Sequence, residues 1–250
     1  MMAEQKKWWH TLAAGAVAAA LAVGLAGGVV TPAKATTGLT DSEKFVSAAY
    51  EDFLGRLPTA TELARDAVNV GQYTGKLPLT TALATSTEWL TTVVTKMYTD
   101  TLERQPDAQG LTNWVTWIQE RRFTVAQVAS EFYASPEFYL YHAGGTDTAW
   151  VTKLYVTLLG RQPDADGLTM WVGMARNDWY ARVYVAEHFY QSMEPAMHRV
   201  QAMYQKMLGR DPEPFGWYNW SLNVVITGDL ALAAQIANSD EYWDRAQLRF

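Results

Sequence analysis

Tyr155-Val156-Thr157-Leu158-Leu159-Gly160-Arg161-Gln162-Pro163-Asp164 has three counterparts elsewhere in the chain. One runs from Tyr50 through Leu54, Gly55 and Arg56 to Pro58. Another runs from Tyr98 through Leu102, Glu103 and Arg104 to Pro106, and the last from Tyr204 through Leu208, Gly209 and Arg210 to Pro212. The tyrosines stand 48, 57 and 49 residues apart. Five matching positions at so regular a period predict tandem copies of one unit of about 50 residues. The longer interval contains Gly144-Gly145-Thr146-Asp147, which reads as an inserted linker.

Two further landmarks keep the same phase. Gly110-Leu111 leads to Trp114, Gly167-Leu168 to Trp171, and Gly216 to Trp220, whereas Thr59 to Asp66 holds neither glycine nor tryptophan. Ser86/Glu88/Trp89, Ser135/Glu137/Phe138, Ser192/Glu194 and Ser239/Glu241/Tyr242 recur near the end of each unit, with Pro195 replacing the aromatic in the third.

Local chemistry predicts helices throughout. Val151, Leu154, Tyr155, Leu158 and Leu159 share one helical face, as do Phe45, Val46, Ala49, Tyr50, Phe53 and Leu54. Thr40-Asp41-Ser42-Glu43 forms a capping box, and Thr124 with Gln127 caps another helix. Gly55, Gly160 and Gly209 suit a left-handed residue at a helix end, with a proline three residues beyond. Ser135-Pro136 places a cap and a first-turn proline before a short helix. Strand-type alternation is lacking, so the expected fold is all-α with four tandem helical repeats: 36–90 (divergent), 91–143, 144–196 and 197–250.

Ahead of these lies a leader. Lys6 and Lys7 precede an uncharged run from Leu12 to Val30, followed by Ala33-Lys34-Ala35. That order describes a secretory signal peptide over residues 1–35, cleaved after Ala35. A retained anchor is the alternative, since 19 uncharged residues can span a bilayer, although four of them are glycine. No second apolar span follows, so the cleaved chain has no expected transmembrane anchor. Without the leader, 25 acidic and 17 basic residues remain. Such an acidic surface repels phosphate backbones and argues against nucleic acid as a partner. The chain has no cysteine, which excludes disulfides, thiol catalysis and thiolate metal sites.

Tyr-x3-Leu-Gly-Arg-x-Pro-Asp, Gly-Leu-x2-Trp and Ser-Pro-Glu-Phe, in that order, resemble a bacterial repeat family catalogued as domain of unknown function 4214. Its fold is similar to the phycobilisome linker domain. The resemblance runs from about Asp41 to the C-terminus and is strongest in the second and third units. It implies a secreted or surface-located helical module serving interaction or assembly, with no attached enzymatic activity and no list of binding residues.

The residues themselves offer little catalytic machinery. His142, His188 and His198 stand outside any metalloprotease helix motif, and neither a nucleophile elbow nor a phosphate-cradling glycine loop is present. Asp164 and Asp166 suggest a carboxylate pair or a fragment of a calcium loop, but the favoured role of this Asp-x-Asp-Gly fragment is to cap the second helix. No catalytic residue, metal or cofactor is therefore expected. Arg56, Arg104, Arg161 and Arg210 could form an anion-binding row. The structural alternative, which we favour, pairs each with Glu88, Glu137, Glu194 or Glu241. Trp114, Trp171 and Trp220 are in phase and expected in the core. Trp117, Trp150, Trp179 and Trp217 are out of phase, which makes them candidates for a ligand-contacting surface. The leading expectation is a non-catalytic secreted module for a cell-envelope glycan or extracellular polysaccharide. A surface protein-assembly scaffold is the alternative, and a glycan-degrading enzyme comes third.

Overall fold

A computed structural model describes residues 38–176 and 178–250, so the leader expected over residues 1–35 lies outside the described residues. Within them the protein is all-α, as its periodicity predicts. The first helices are α1 (Asp41–Leu54), α2 (Ala60–Val68, continued by a π-helical turn at Asn69–Tyr73), α3 (Lys76–Ala84) and α4 (Thr87–Leu102). Next come α5 (Ala108–Gln119) and α6 (Val125–Ala134), a π-helical turn at Phe138–His142, and α7 (Asp147–Leu154), which runs on as a π turn at Tyr155–Leu159. The rest are α8 (Ala165–Ala175), α9 (Trp179–Gln191), α10 (Met193–Leu208), α11 (Pro214–Thr227), α12 (Asp229–Ala237) and α13 (Asp240–Arg249). None of the described helices is long and apolar enough to cross a membrane.

Side-chain caps set the starts of these helices. Thr40, Thr59 and Thr124 form complete capping boxes with Glu43, Glu62 and Gln127. Ser86, Ser135 and Ser239 accept from the amides of Trp89, Phe138 and Tyr242, each at 3.1 Å. Ser192 has no such bond, because the residue three places on is Pro195, which has no N–H; its hydroxyl donates to the Phe189 carbonyl instead. Helix ends use the left-handed conformation at Gly55, Gly160 and Gly209. Glu103 holds the same place with φ 52°, a conformation that costs a residue with a Cβ about 1 kcal/mol. Gly144 and Gly145, also at positive φ, turn the chain between the Phe138–His142 turn and α7, where Thr146 caps the restart.

The packing around Tyr98, Tyr155 and Tyr204 explains why glycine accompanies them. Tyr50, Tyr98, Tyr155 and Tyr204 are all buried. A Cβ added at Gly110 would stand 2.6 Å from the Tyr98 hydroxyl oxygen, and one at Gly167 would overlap that of Tyr155. The indoles of Trp114 and Trp220 stand towards the hydroxyls of Tyr98 and Tyr204 and offer them an N–H, which opposes the rise that burial gives each phenol pKa. Since an indole only donates, the phenol oxygen accepts. In the first segment Glu62 occupies the glycine position and Asp66 the tryptophan position. There the polarity reverses, and Tyr50 donates to buried Asp66 at 2.8 Å.

Packing brings distant segments together. α6 lies against α9, α3 against α12, and α10 against α11, around a continuous buried cluster. α13 returns to α1, with Phe45 5.8 Å from Tyr242 and 5.3 Å from Trp243. Tyr242 and Arg249 both donate to Asp52, at 2.7 and 2.6 Å.

Candidate functional site

The four signature arginines lie at the C-terminal ends of α1, α4, the α7 π turn and α10. Arg56 donates to Glu88 at 2.8 Å through two nitrogens, and Arg104 to Glu137 at 2.6 and 2.9 Å. Arg161 donates to Glu194 at 3.1 and 3.2 Å, and Arg210 to Glu241 at 2.5 and 2.7 Å. Each guanidinium also lies over its own tyrosine ring, between 4.9 Å (Arg104) and 5.3 Å (Arg56) from the centroid. Two-pronged bonds of this kind tie the end of one helix to the start of another three helices on. Arg56 additionally reaches Glu62, whose carboxyl it holds down at about 2. An anion-binding row would need these cations free, and every one is engaged.

Because the pairs are half-exposed, each is worth about 1 kcal/mol or less. Arg161→Ala is therefore expected to lower the melting temperature by a few degrees at most. Arg56→Ala, which severs bonds to two carboxylates, should lower it further. Thermal unfolding followed by circular dichroism measures both. Unchanged melting in the two variants would remove the structural role assigned to the row.

The four out-of-phase tryptophans part company. Trp150 is completely buried, and its indole donates to the Tyr133 carbonyl at 2.7 Å. It cannot form part of a contact surface, a correction to the expectation from phase. Trp117 is half-buried against Trp114 and Phe123, at 5.0 and 5.8 Å. Trp217 packs on the core with its N–H on the Met197 carbonyl at 2.6 Å, and it borders a small recess with Gln201, Asp211 and Pro212. Trp179 remains 39% exposed. The in-phase Trp114, Trp171 and Trp220 are partly buried against the core.

Trp179 opens α9, where Asp178 caps the helix by accepting from Ala181 N–H at 2.9 Å. The packing of α9 on α6 brings this indole into the lining of an open cleft of about 260 Å³. Tyr98, Leu102 and Phe132 contribute its apolar lining, with Trp114 and Trp179 as aromatic walls. Glu131, Arg104 and Glu137 are its charged groups. Arg104 and Glu137 satisfy each other. Glu131 is half-buried on α6 and has no hydrogen-bond or ion-pair partner among the described residues, and burial pushes its carboxyl above the usual range. Sequence reasoning missed Glu131. Its one signal was that the residue four places before the unit-end serine is Ala82, His188 or Gln235 in the other segments, so an acid stands there once.

Other sequence candidates have ordinary tasks. Asp107 and Asp164 cap α5 and α8 by accepting from Gly110 and Gly167 N–H, each at 2.8 Å. His142 stacks on Phe138 and lies 3.9 Å from Glu103, and His188 contacts Tyr184. Burial lowers the pKa of His198.

Residues 129–199, from α6 into the first turns of α10, match the family described as Domain of unknown function (DUF4214). This supports the resemblance carried by Ser135-Pro136-Glu137-Phe138, Leu159-Gly160-Arg161 and Gly167-Leu168. No curated protein and no solved structure matches the chain.

Proposed function

We propose that this chain is a secreted, non-catalytic binding module for a cell-envelope glycan or an extracellular polysaccharide, with the Trp179 cleft as its binding site. The observation that carries the proposal is the exposed Trp179 indole lining one cleft with Trp114 and with Glu131, a carboxylate that has no partner among the described residues. Flat aromatic faces pack against the C–H faces of sugar rings, and a few polar groups at the edge fix orientation. Of the two carboxylates in the cleft, Glu137 is committed to Arg104. That leaves Glu131 without a second free carboxyl for acid–base hydrolysis, which favours binding over cleavage. The proposal includes export through the leader, four tandem copies of one unit, and a module similar to the phycobilisome linker domain.

Co-sedimentation of the full chain with purified cell envelopes and insoluble polysaccharides tests this reading. The native protein is expected in the pellet, and Trp179→Ala, folded by circular dichroism, should bind about tenfold more weakly. A native protein that stays in the supernatant, or a folded variant that sediments as well as the native one, overturns it.

The scaffold alternative is favoured by one observation. Phe215, Tyr218, Leu222 and Ile226 fall on one face of α11 and are exposed, Phe215 at 81% and Ile226 at 82%. Contiguous apolar surface of this kind marks docking sites. Sedimentation equilibrium or recovery of a defined partner, lost in Phe215→Ser/Ile226→Ser, would support that role.

A further inference from the structure

The cleft holds an acid where a general sugar site needs none. Glu131 is half-buried and lines the cleft together with Trp114 and Trp179, and no described group supplies it with a hydrogen bond or counter-charge. Arg104 is engaged elsewhere: Nε and one terminal nitrogen donate to Glu137, the other to the Gln105 carbonyl, and its Cζ lies 4.9 Å from the Tyr98 centroid. The Arg104–Glu137 pair is neutral, so the cleft keeps one net negative charge. An ionised carboxylate in partly apolar surroundings is unfavourable until a cation joins it.

We infer that the cleft selects glycan units bearing a free amino group, whose ammonium pairs with Glu131 while the sugar ring stacks on Trp179. This deepens the glycan reading and rests on it. A primary ammonium brings three donors to a carboxylate and gains further attraction from the neighbouring indole faces. An N-acetylated or neutral sugar can offer Glu131 hydroxyl or amide donors but no counter-charge, so it gains less from the carboxylate than an ammonium does. A lysine side chain carries the same cation but no ring to cover the indole. The cleft, near the small end of ligand sites, has room for one ring-sized group. The raised carboxyl pKa agrees: burial costs the ionised form stability as pH rises through its titration, and an arriving cation offsets that cost.

The test titrates the full chain with the tetramer of glucosamine, the tetramer of N-acetylglucosamine, cellotetraose and trilysine. Tryptophan emission is the readout, at a pH where amines and Glu131 are both charged. The glucosamine tetramer is expected to bind at least about tenfold more tightly than the other three. Glu131→Gln should bring the three sugars within about twofold of one another without lowering the melting temperature, since the glutamine removes a half-buried charge that has no partner among the described residues. Equal binding of the three sugars by the native chain overturns the amino-sugar inference and leaves the glycan reading standing. Trilysine binding as tightly as the glucosamine tetramer shows selection of a cation without a sugar and overturns it too. If no tetramer binds, the amino-sugar inference is overturned, and co-sedimentation with envelopes and polysaccharides decides the glycan reading separately.

Discussion

Trp150→Ala is expected to cost about 3–5 kcal/mol of folding stability, the range for truncating a buried aromatic residue. At this chain length that corresponds to a fall in melting temperature of roughly 10 °C. The side chain is completely buried, so alanine leaves a cavity that the neighbouring helices can fill only in part. It also orphans the Tyr133 carbonyl, which accepts the indole N–H at 2.7 Å and ties α7 to the end of α6. Trp150→Phe separates the two effects. It keeps most of the volume and loses the donor, and should cost about 1–2 kcal/mol. Denaturant unfolding of the three proteins is the measurement. A Trp150→Ala midpoint equal to that of the native chain would mean the indole contributes nothing to the core.

Trp150 also shows where periodic reasoning stops. It lies outside the recurring tryptophan phase, so no shared core slot called for it, and surface exposure was the natural expectation. The Gly144-Gly145 insertion explains the outcome. It breaks the helix that is continuous in α4 and α10, and the restarted α7 needs its own anchor. Trp150 provides that anchor. A tryptophan pattern shared by several segments cannot report a slot that each fills with a different residue: Phe45, Val93 and Arg199 hold the place of Trp150, five residues before the tyrosine, and Phe45 is completely buried as well. Glu131 was hidden for the same reason. Its chemistry depends on Trp179 arriving from α9, nearly fifty residues away, and no local spacing encodes that approach.

What repeats locally was legible. The capping boxes at Thr40 and Thr124, the left-handed glycines, and the arginine–glutamate pairs all follow from short-range chemistry or from position in the period. The divergent first segment was less so. Its lack of glycine and tryptophan suggested a lost landmark, yet Asp66 performs the same office by accepting from Tyr50 where Trp114 donates to Tyr98. A polar side chain stands at the tyrosine hydroxyl in both segments, as acceptor in the first and as donor in the second. The return of α13 onto α1 is long-range packing between apolar faces, which helical periodicity leaves undetermined.

Gly167→Ala tests this account of the tyrosine–glycine pairing. Gly167 lies in the first turn of α8 and not at a positive φ, so backbone conformation does not demand glycine. On helix propensity alone, alanine would stabilise α8 by about 1 kcal/mol. The Tyr155 hydroxyl reverses the sign. It occupies the space of the new Cβ, and the ring is held by burial, by Phe189 at 5.0 Å and by Arg161 above it. We expect Gly167→Ala to lose about 1–3 kcal/mol through this overlap. Tyr155→Phe removes the offending oxygen, so the double variant should recover most of the loss. A coupling energy of about 1 kcal/mol or more, measured by a double-mutant cycle in denaturant, is the expected signature. If the two losses simply add, the glycine is required for some reason other than the hydroxyl. If they couple as expected, tyrosine and glycine twelve residues apart are one interaction. The recurring motif then records a steric fit between two helices.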